Sequence, residues 1–144
     1  MDELTIGRGS QVAIFRDAIS GPPRADPYSG EGSFVVELRA EGLRAQRTVF
    51  MFSFDWANLA AFFADLAESW RGWDGEKRWE SIEHDLSITA TSDSRGHCRL
   101  HFVVRDGPNP TWEVSMIGPE IDAGEDMATV ARNVEQWSKR EATD

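Results

Sequence analysis

The chain has little cysteine and no long apolar run, and both absences exclude classes of protein. Cys98 is the only cysteine among 144 residues, so no disulfide can form within the chain, which suits a reducing compartment. No segment reaches the roughly 20 apolar residues of a membrane-spanning helix. The start, Met1–Leu4, lacks the basic and apolar segments of a signal peptide. We therefore expect a cytoplasmic protein.

Basic residues are also scarce. Fifteen Lys and Arg stand against 25 Asp and Glu, for a formal net charge of −10. Nucleic acids and anionic membranes attract positive protein surfaces, so neither is expected as a partner. A basic protein remains compatible with this charge. Solubility alone also explains a charge far from zero, and it is the more conservative interpretation.

The local motifs of catalysis and of cofactor binding are missing. No serine lies in a Gly-x-Ser-x-Gly elbow, and there is no phosphate-binding loop, dinucleotide fingerprint or Cys/His zinc spacing. His97 and His101 lie in a segment that alternates like a strand, which separates their Cα atoms by roughly 13 Å, too far to share a metal ion. Cys98 falls on the expected core face, where a thiol is inert. We expect no catalytic residue, cofactor or metal, although a site assembled across the fold would leave no local motif.

Apolar residues predict strands in the first third of the chain. Leu4–Gly7 and Gln11–Ala18 are short strands, the second with a bulge or with burial on both faces. Ser33–Glu41 alternates as a half-buried strand with Phe34, Val36, Leu38 and Ala40 on one face. Gly42 then turns the chain into a paired strand, Leu43–Ser53.

Two segments have the apolar period of amphipathic helices. The first spans residues 55–71, with Asp55 as N-cap and Gly72 as the stop. The second spans residues 123–138, with Asp122 and Glu125 as a capping box. The first apolar stripe comprises Trp56, Leu59, Ala60, Phe63, Leu66, Ala67 and Trp70.

Residues 82–117 predict a meander of three strands. The inward residues share one face in a register that pairs Ala90 with Cys98 and Ile88 with Leu100, then Phe102 with Val114 and Val104 with Trp112. Together, these elements predict a single α+β domain over residues 1–144. We expect a twisted antiparallel sheet of about six to seven strands with both helices packed on one face.

Two segments outside the regular elements are candidate binding surfaces. Residues 70–79 hold three of the six tryptophans, and Trp and Arg are enriched in binding hot spots. We take Arg71, Trp73 and Trp79 as candidates, against the interpretation that Trp70 completes the helix stripe and the other two tryptophans fasten the turn to the sheet. A long Pro/Gly loop at 20–32 offers Tyr28 as a further anchor.

The stretch Trp70-Arg-Gly-Trp-Asp-Gly-Glu-Lys-Arg-Trp-Glu80, with Leu59–Leu66 before it, resembles a family of small uncharacterised actinobacterial proteins. These proteins are a domain of unknown function in which a helix precedes a W-R-G-W-D-G turn. The resemblance implies a bacterial origin and one compact domain, and it supplies no catalytic residue. Small acidic α+β proteins also resemble immunity proteins in general build, an analogy of architecture alone.

Three functional hypotheses follow from the sequence. The first is a non-catalytic binding domain, immunity-like, for a basic protein partner. The alternative is a small-ligand-binding protein or enzyme with a cleft between the sheet and the 20–32 loop, near Tyr28, His84 and Asp85. The third is a homo-oligomer subunit that associates through the solvent face of the sheet, where we expect Val35, Val103 and Ile117.

Overall fold

The protein alternates four strands and a helix twice. The computed structural model describes residues 2–20, 32–93 and 95–139. The first half comprises β1 (Glu3–Arg8), β2 (Gln11–Ser20), β3 (Gly32–Ala40), β4 (Leu43–Met51) and α1 (Ser53–Glu68). The second half comprises β5 (Lys77–Glu80), β6 (Leu86–Ser92), β7 (His97–Arg105), β8 (Glu113–Asp122) and α2 (Glu125–Lys139).

The strands form two antiparallel sheets of four strands each, ordered β1-β2-β3-β4 and β5-β6-β7-β8. The α+β class and the antiparallel pairing are thus confirmed, whereas the expectation of one sheet with six to seven strands is wrong. Because α1 intervenes after β4, the chain leaves the first sheet and β5 pairs with β6 instead. The sequence pattern missed β5 because this strand has only four residues, three of them charged.

In the first sheet, the expected alternation holds on β3, where Phe34, Val36 and Leu38 are buried. Strand β2 shows both features that its irregular pattern allowed. Residues 12–15 are buried on both faces, and a bulge interrupts the pairing with β3 between Arg16 and Ile19. The predicted long loop at 20–32 falls almost entirely outside the described residues, and with it Tyr28.

In the second sheet, the inward faces of β6 and β7 are as expected, but the register differs by two residues in both hairpins. Ile88 pairs with Phe102, and Val104 pairs with Val114. Since the side-chain period of a strand is two, a shift of two residues leaves every side chain on its predicted face.

Aspartates that close the two turns explain the shifted register. Asp93 accepts hydrogen bonds from the backbone N–H groups of Arg95 and His97, and Asp106 accepts one from Thr111. The first turn therefore occupies residues 93–96 and the second residues 106–112. As a consequence Trp112, predicted to point inward opposite Val104, precedes β8 and is 39% exposed.

Helix α1 is shorter than the predicted span of 55–71 and begins earlier. Its first residue is Ser53, so Asp55 lies at the third helical position and accepts a hydrogen bond from the Phe52 N–H at 2.7 Å. This is the returning half of a capping box, since Phe52 has no side-chain acceptor. The helix ends at Glu68, so Trp70 lies beyond it and is exposed.

Helix α2 begins at Glu125, two residues after the predicted start. Asp122 is the last residue of β8 and not a cap; its carboxylate lies 3.6 Å from His97 Nε2. Two acidic residues, Glu125 and Asp126, occupy the first turn of α2. Negative charge at this end stabilises a helix through its dipole.

Both sheets and both helices share one hydrophobic core. Trp137 of α2 is fully buried against Phe15 and Phe34 of the first sheet, and Phe15 also contacts Phe102 of the second sheet. The helices pack on each other, α1 near β4 and β5, and α2 near β1 and β8. None of the described helices has the length and apolar character needed to cross a membrane.

Candidate functional site

The predicted binding surface of Arg71, Trp73 and Trp79 is divided between the core and the solvent. Trp79 lies on β5 with 8% of its surface exposed, so its ring is mostly buried in the core. Trp73 is half-buried and packs against the core, with the Lys77 ammonium 5.3 Å from its ring centre. Arg71 and Trp70 are exposed and stack on each other at 4.9 Å. Of the three predicted residues in this stretch, Arg71 is thus exposed, Trp73 is partly exposed and Trp79 is buried.

A cavity of about 480 Å³ lies between the start of α1 and β5 with its following turn. We call it the α1–β5 cavity. Its walls combine apolar and polar side chains, as ligand sites commonly do. The lining residues are Phe54, Asp55, Asn58, Arg78, Trp79, Glu80, Ser81, Ile82 and His84.

Asp55 is the most buried acid in this cavity, with 5% of its surface exposed. Burial raises the pKa of Asp55, and the hydrogen bond from the Phe52 backbone opposes that shift only in part. Within the described residues, Oδ2 accepts this bond while Oδ1 has no hydrogen-bond partner. Oδ1 is not fully buried, so it keeps contact with solvent at the cavity surface and is available to a ligand.

Glu80 is the centre of a polar network on the other side of the cavity. Its carboxylate accepts hydrogen bonds from Ser87 Oγ at 2.8 Å and from Arg78, and it contacts the His84 ring. Desolvation opposes ionisation, but these three partners outweigh it and lower the pKa of Glu80 to about 2. Asp55 and Glu80 thus line one cavity with pKa values displaced in opposite directions, a feature that occurs often at functional sites.

The turn between β5 and β6 positions His84 beside this network. Ser81 Oγ donates to Asp85 Oδ1 at 2.6 Å and accepts from the Leu86 N–H, and both polar side chains are 1% exposed. Asp85 also faces Arg47 at 3.4 Å. Asp85, a predicted ligand contact, therefore lies on the buried side of the turn and stabilises it, whereas His84 lines the cavity.

A larger concave surface, of about 550 Å³, lies between the β1–β2 hairpin, β8 and α2. We call it the acidic groove. Four carboxylates line it, from Glu120, Asp122, Glu125 and Asp126. Arg8 is the single basic residue among its described lining residues, and it pairs with Asp126 at 3.4 Å.

One edge of the acidic groove meets a cluster that could hold a cation. Ligand atoms of Asp93, His97 and Glu120 lie within 4.8 Å of one another. The hydrogen bond with Asp93, at 2.7 Å, raises the pKa of His97 and stabilises its protonated form, which competes with metal binding. His101 lies apart from the cluster and bonds to Ser115. His97 and His101 therefore contact different partners, because four residues along a strand separate their Cα atoms by roughly 13 Å.

The first sheet carries a further charged cluster that the sequence pattern did not indicate. Alternation placed Glu37 on the solvent face, yet it is only 1% exposed, because Arg16, Arg39 and Arg44 surround its carboxylate. The hydrogen bond from Arg39 lowers the pKa of Glu37, partly offset by desolvation. Finding this cluster from the sequence would have required the register that pairs Arg39 with Arg44.

On α1, Asn58 and Asp55 are polar cavity residues that sequence reasoning missed as site residues. Asn58 lies on the exposed side of α1, and Asp55 was assigned a capping role only. The available signal was their spacing of three residues, which places two polar groups on the same side of a helix. That signal is common on helix surfaces, so it does not identify a site without the facing strand.

Comparison with known proteins places the chain in a family. No curated protein and no solved structure matches it. A family model described as "Family of unknown function (DUF6228)" matches residues 15–141 and confirms the resemblance to a domain of unknown function. Since this match spans most of the chain, the protein belongs to that family of unknown function.

Proposed function

We propose that this protein is a non-catalytic binding domain that recognises a basic protein partner through the acidic groove. The observation that carries the proposal is the groove itself, in which four carboxylates face one arginine. A concave surface of one charge sign concentrates its field and attracts a partner of the opposite sign. The net charge of −10 adds long-range attraction.

The single cation in the groove does not prevent such binding. The side chains of Arg8 and Asp126 are 85% and 41% exposed, so water screens their ion pair. A lysine or arginine of the partner could replace Arg8 at Asp126 at little cost in free energy, because the Arg8–Asp126 ion pair is weak. Exposed Glu125 would remain free to receive a further basic side chain. Asp122 and Glu120 face His97 and Arg99 at 3.6 Å, and both are exposed pairs that a basic side chain of the partner could replace in the same way.

An immunity-like role, in which the partner is a basic toxin, is the specific form of this proposal. It is supported by the acidic charge and by the small α+β architecture, which does not fix function by itself. The actinobacterial origin and the cytoplasmic location belong to the same proposal. The lone cysteine, Cys98, is buried, and burial raises its pKa to about 12, so the thiol is an inert core group.

Two pairs of charge-matched variants test the groove. Asp122→Asn with Glu125→Gln neutralises two groove carboxylates, and Glu41→Gln with Glu68→Gln neutralises two exposed carboxylates outside it. Both double variants change the formal net charge from −10 to −8, so they alter long-range attraction equally. Proteins captured by wild type from a lysate of the source cell would be identified, purified and titrated against all three forms.

We expect a purified basic protein to bind wild type and the outside variant alike, and the groove variant at least about tenfold more weakly. Thermal melting of each variant verifies folding. Equal weakening by both variants would indicate bulk charge and not the groove. Unchanged binding by the groove variant would place the interface elsewhere, with Arg71 as the next residue to test.

The other two hypotheses have less support among the described residues. The cleft between the sheet and the 20–32 loop lies outside them, together with Tyr28. For a homo-oligomer, Val35 lies in the first sheet whereas Val103 and Ile117 lie in the second, so the three do not form the single-sheet patch that we predicted. Ile117 is 64% exposed and remains the candidate for self-association.

A further inference from the structure

We propose that the α1–β5 cavity is a binding site for a small organic cation, a planar amidine or guanidine attached to an aromatic ring. This site is separate from the acidic groove, since the two share no lining residue. The inference therefore does not depend on the protein partner proposed above.

The free oxygen of Asp55 is the first reason. Asp55 is 95% buried, lines the cavity, and uses only Oδ2 in the hydrogen bond to Phe52, so Oδ1 lacks a donor within the described residues. An amidinium or guanidinium presents two parallel N–H groups, and one of these satisfies Oδ1. Charge-assisted hydrogen bonds of this kind are roughly twice as strong as neutral ones.

The balance of charges in the cavity is the second reason. Two carboxylates, Asp55 and Glu80, line the cavity with one guanidinium, that of Arg78. The His84 ring also lines the cavity, where it contacts Glu80 and not Asp55. Arg78 is engaged by Glu80 and lies near Ser87 Oγ at 3.4 Å, so its charge is already compensated. One carboxylate, Asp55, is left without a cation, and an anionic ligand would be repelled by it.

The cavity walls are the third reason, because they favour an aromatic ring on the ligand. Phe54, Trp79 and Ile82 provide the apolar lining. Ile82 is 42% exposed, so part of its apolar surface remains for a ligand to cover. Aromatic faces also attract cations. Asn58, which makes no side-chain hydrogen bond within the described residues, can accept the second N–H of the ligand at the cavity mouth.

A titration with benzamidine, followed by two-dimensional amide NMR, tests the proposal on the full chain. Benzamide, a neutral molecule of the same shape, is the matched ligand control. Asp55→Asn removes the charge but keeps an oxygen acceptor for the Phe52 N–H. Asp65→Asn is its matched control, because Asp65 is on the same helix, pairs with Lys77 and lies outside the cavity.

We expect saturable benzamidine binding with shifts at Phe54, Asp55, Asn58 and Trp79. Asp55→Asn should raise the Kd by about 10- to 100-fold, since a buried hydrogen bond to a charged group is lost. Asp65→Asn should leave the Kd unchanged, and benzamide should bind as weakly as benzamidine binds the Asp55→Asn variant. If Asp55→Asn fails to fold, Asn58→Trp, which fills the cavity mouth from an exposed position, should abolish binding instead.

Several results would overturn the proposal. One is the absence of saturable binding up to about 10 mM, which is weak even for a fragment of this size. Another is equal affinity for benzamide, which would show that Asp55 does not select a cation. Shifts confined to the residues of the acidic groove would indicate simple attraction to surface carboxylates.

Discussion

At the scale of single residues, Trp73 combines a structural role with a position near the surface. Its ring is half-buried against the core, and its indole N–H is buried without a hydrogen-bond partner in the described part of the chain. We expect Trp73→Ala to lower the free energy of unfolding by about 1–3 kcal/mol, because packing is lost at a partly buried site. Urea denaturation of the variant measures this change.

Arg71→Ala is the comparison for Trp73. Arg71 is exposed and, among the residues that the structure describes, stacks on Trp70 alone, so its removal should change stability by less than about 0.5 kcal/mol. If Trp73→Ala lowers the free energy of unfolding as little as Arg71→Ala does, the Trp73 ring does not stabilise the core. Trp73 would then again be a candidate contact residue.

Glu80 makes stability depend on pH in the acidic range. Its pKa in the folded protein is about 2, below the ordinary value of 4.5. A lowered pKa stabilises the folded state fully above about pH 4.5, and this contribution disappears as the pH falls towards 2. We expect Glu80→Gln to cost about 1–2 kcal/mol at pH 7, after allowance for solvent screening of its exposed partners, and almost nothing at pH 2.

Denaturation of wild type and Glu80→Gln at a series of pH values between 2 and 7 checks this prediction. Glu76→Gln is the control, because Glu76 is exposed and makes no ion pair within the described residues. A stability difference between wild type and Glu80→Gln that stays constant down to pH 2 would contradict the assigned network.

At the scale of elements, the β1–β2 hairpin contains two glycines with positive φ but different surroundings. A Cβ at Gly7 would lie 2.6 Å from the Gln11 carbonyl oxygen and 2.8 Å from Pro119, whereas a Cβ at Gly9 would meet nothing within 4 Å. Gly7→Ala should therefore cost about 2–4 kcal/mol, from steric overlap as well as backbone strain. Gly9→Ala should cost about 1 kcal/mol, from strain alone.

Melting temperatures of the two glycine variants distinguish these cases. The hairpin meets β8 at Gly7, and this contact forms one wall of the acidic groove. Equal effects of the two substitutions would mean that the hairpin can move away from β8, so that the groove is not held rigidly.

At the scale of the whole molecule, the two halves, each of four strands and a helix, share one hydrophobic core. Phe15 and Phe34 of the first half contact Trp137 of the second half at ring-centre distances of 5.5 and 5.1 Å. We expect one cooperative thermal transition, with equal calorimetric and van't Hoff enthalpies. Residues 2–75 and 76–139, produced separately, should each lack cooperative melting because each exposes half of the core.

Scanning calorimetry of the full chain and far-ultraviolet circular dichroism of the two halves provide the measurement. Two separate transitions in the full chain would contradict a single core. So would a half that melts cooperatively on its own.

The elements that the sequence predicted correctly depend on local periodicity. Alternation along β3, β6 and β7 identified the buried face, because successive side chains in a strand point to opposite sides. The helical period predicted both helices, although α1 begins two residues and ends three residues before the predicted positions. Trp70 matched the apolar stripe but lies beyond Glu68, where the helix has already ended. Periodicity measures side-chain direction and contains little information about where hydrogen bonding stops.

The sequence by itself determined the α+β class, the inward faces of most strands and the absence of local catalytic motifs, because each follows from composition or from neighbours along the chain. Only the tertiary structure decided that the eight strands divide into two sheets. It also brought Asp55 to Glu80 across the α1–β5 cavity, and it placed the β1–β2 hairpin with Arg8 opposite the four groove carboxylates, which are themselves close in sequence at 120–126. These arrangements join elements that are distant along the chain, and the energies that select them arise from packing and pairing between elements.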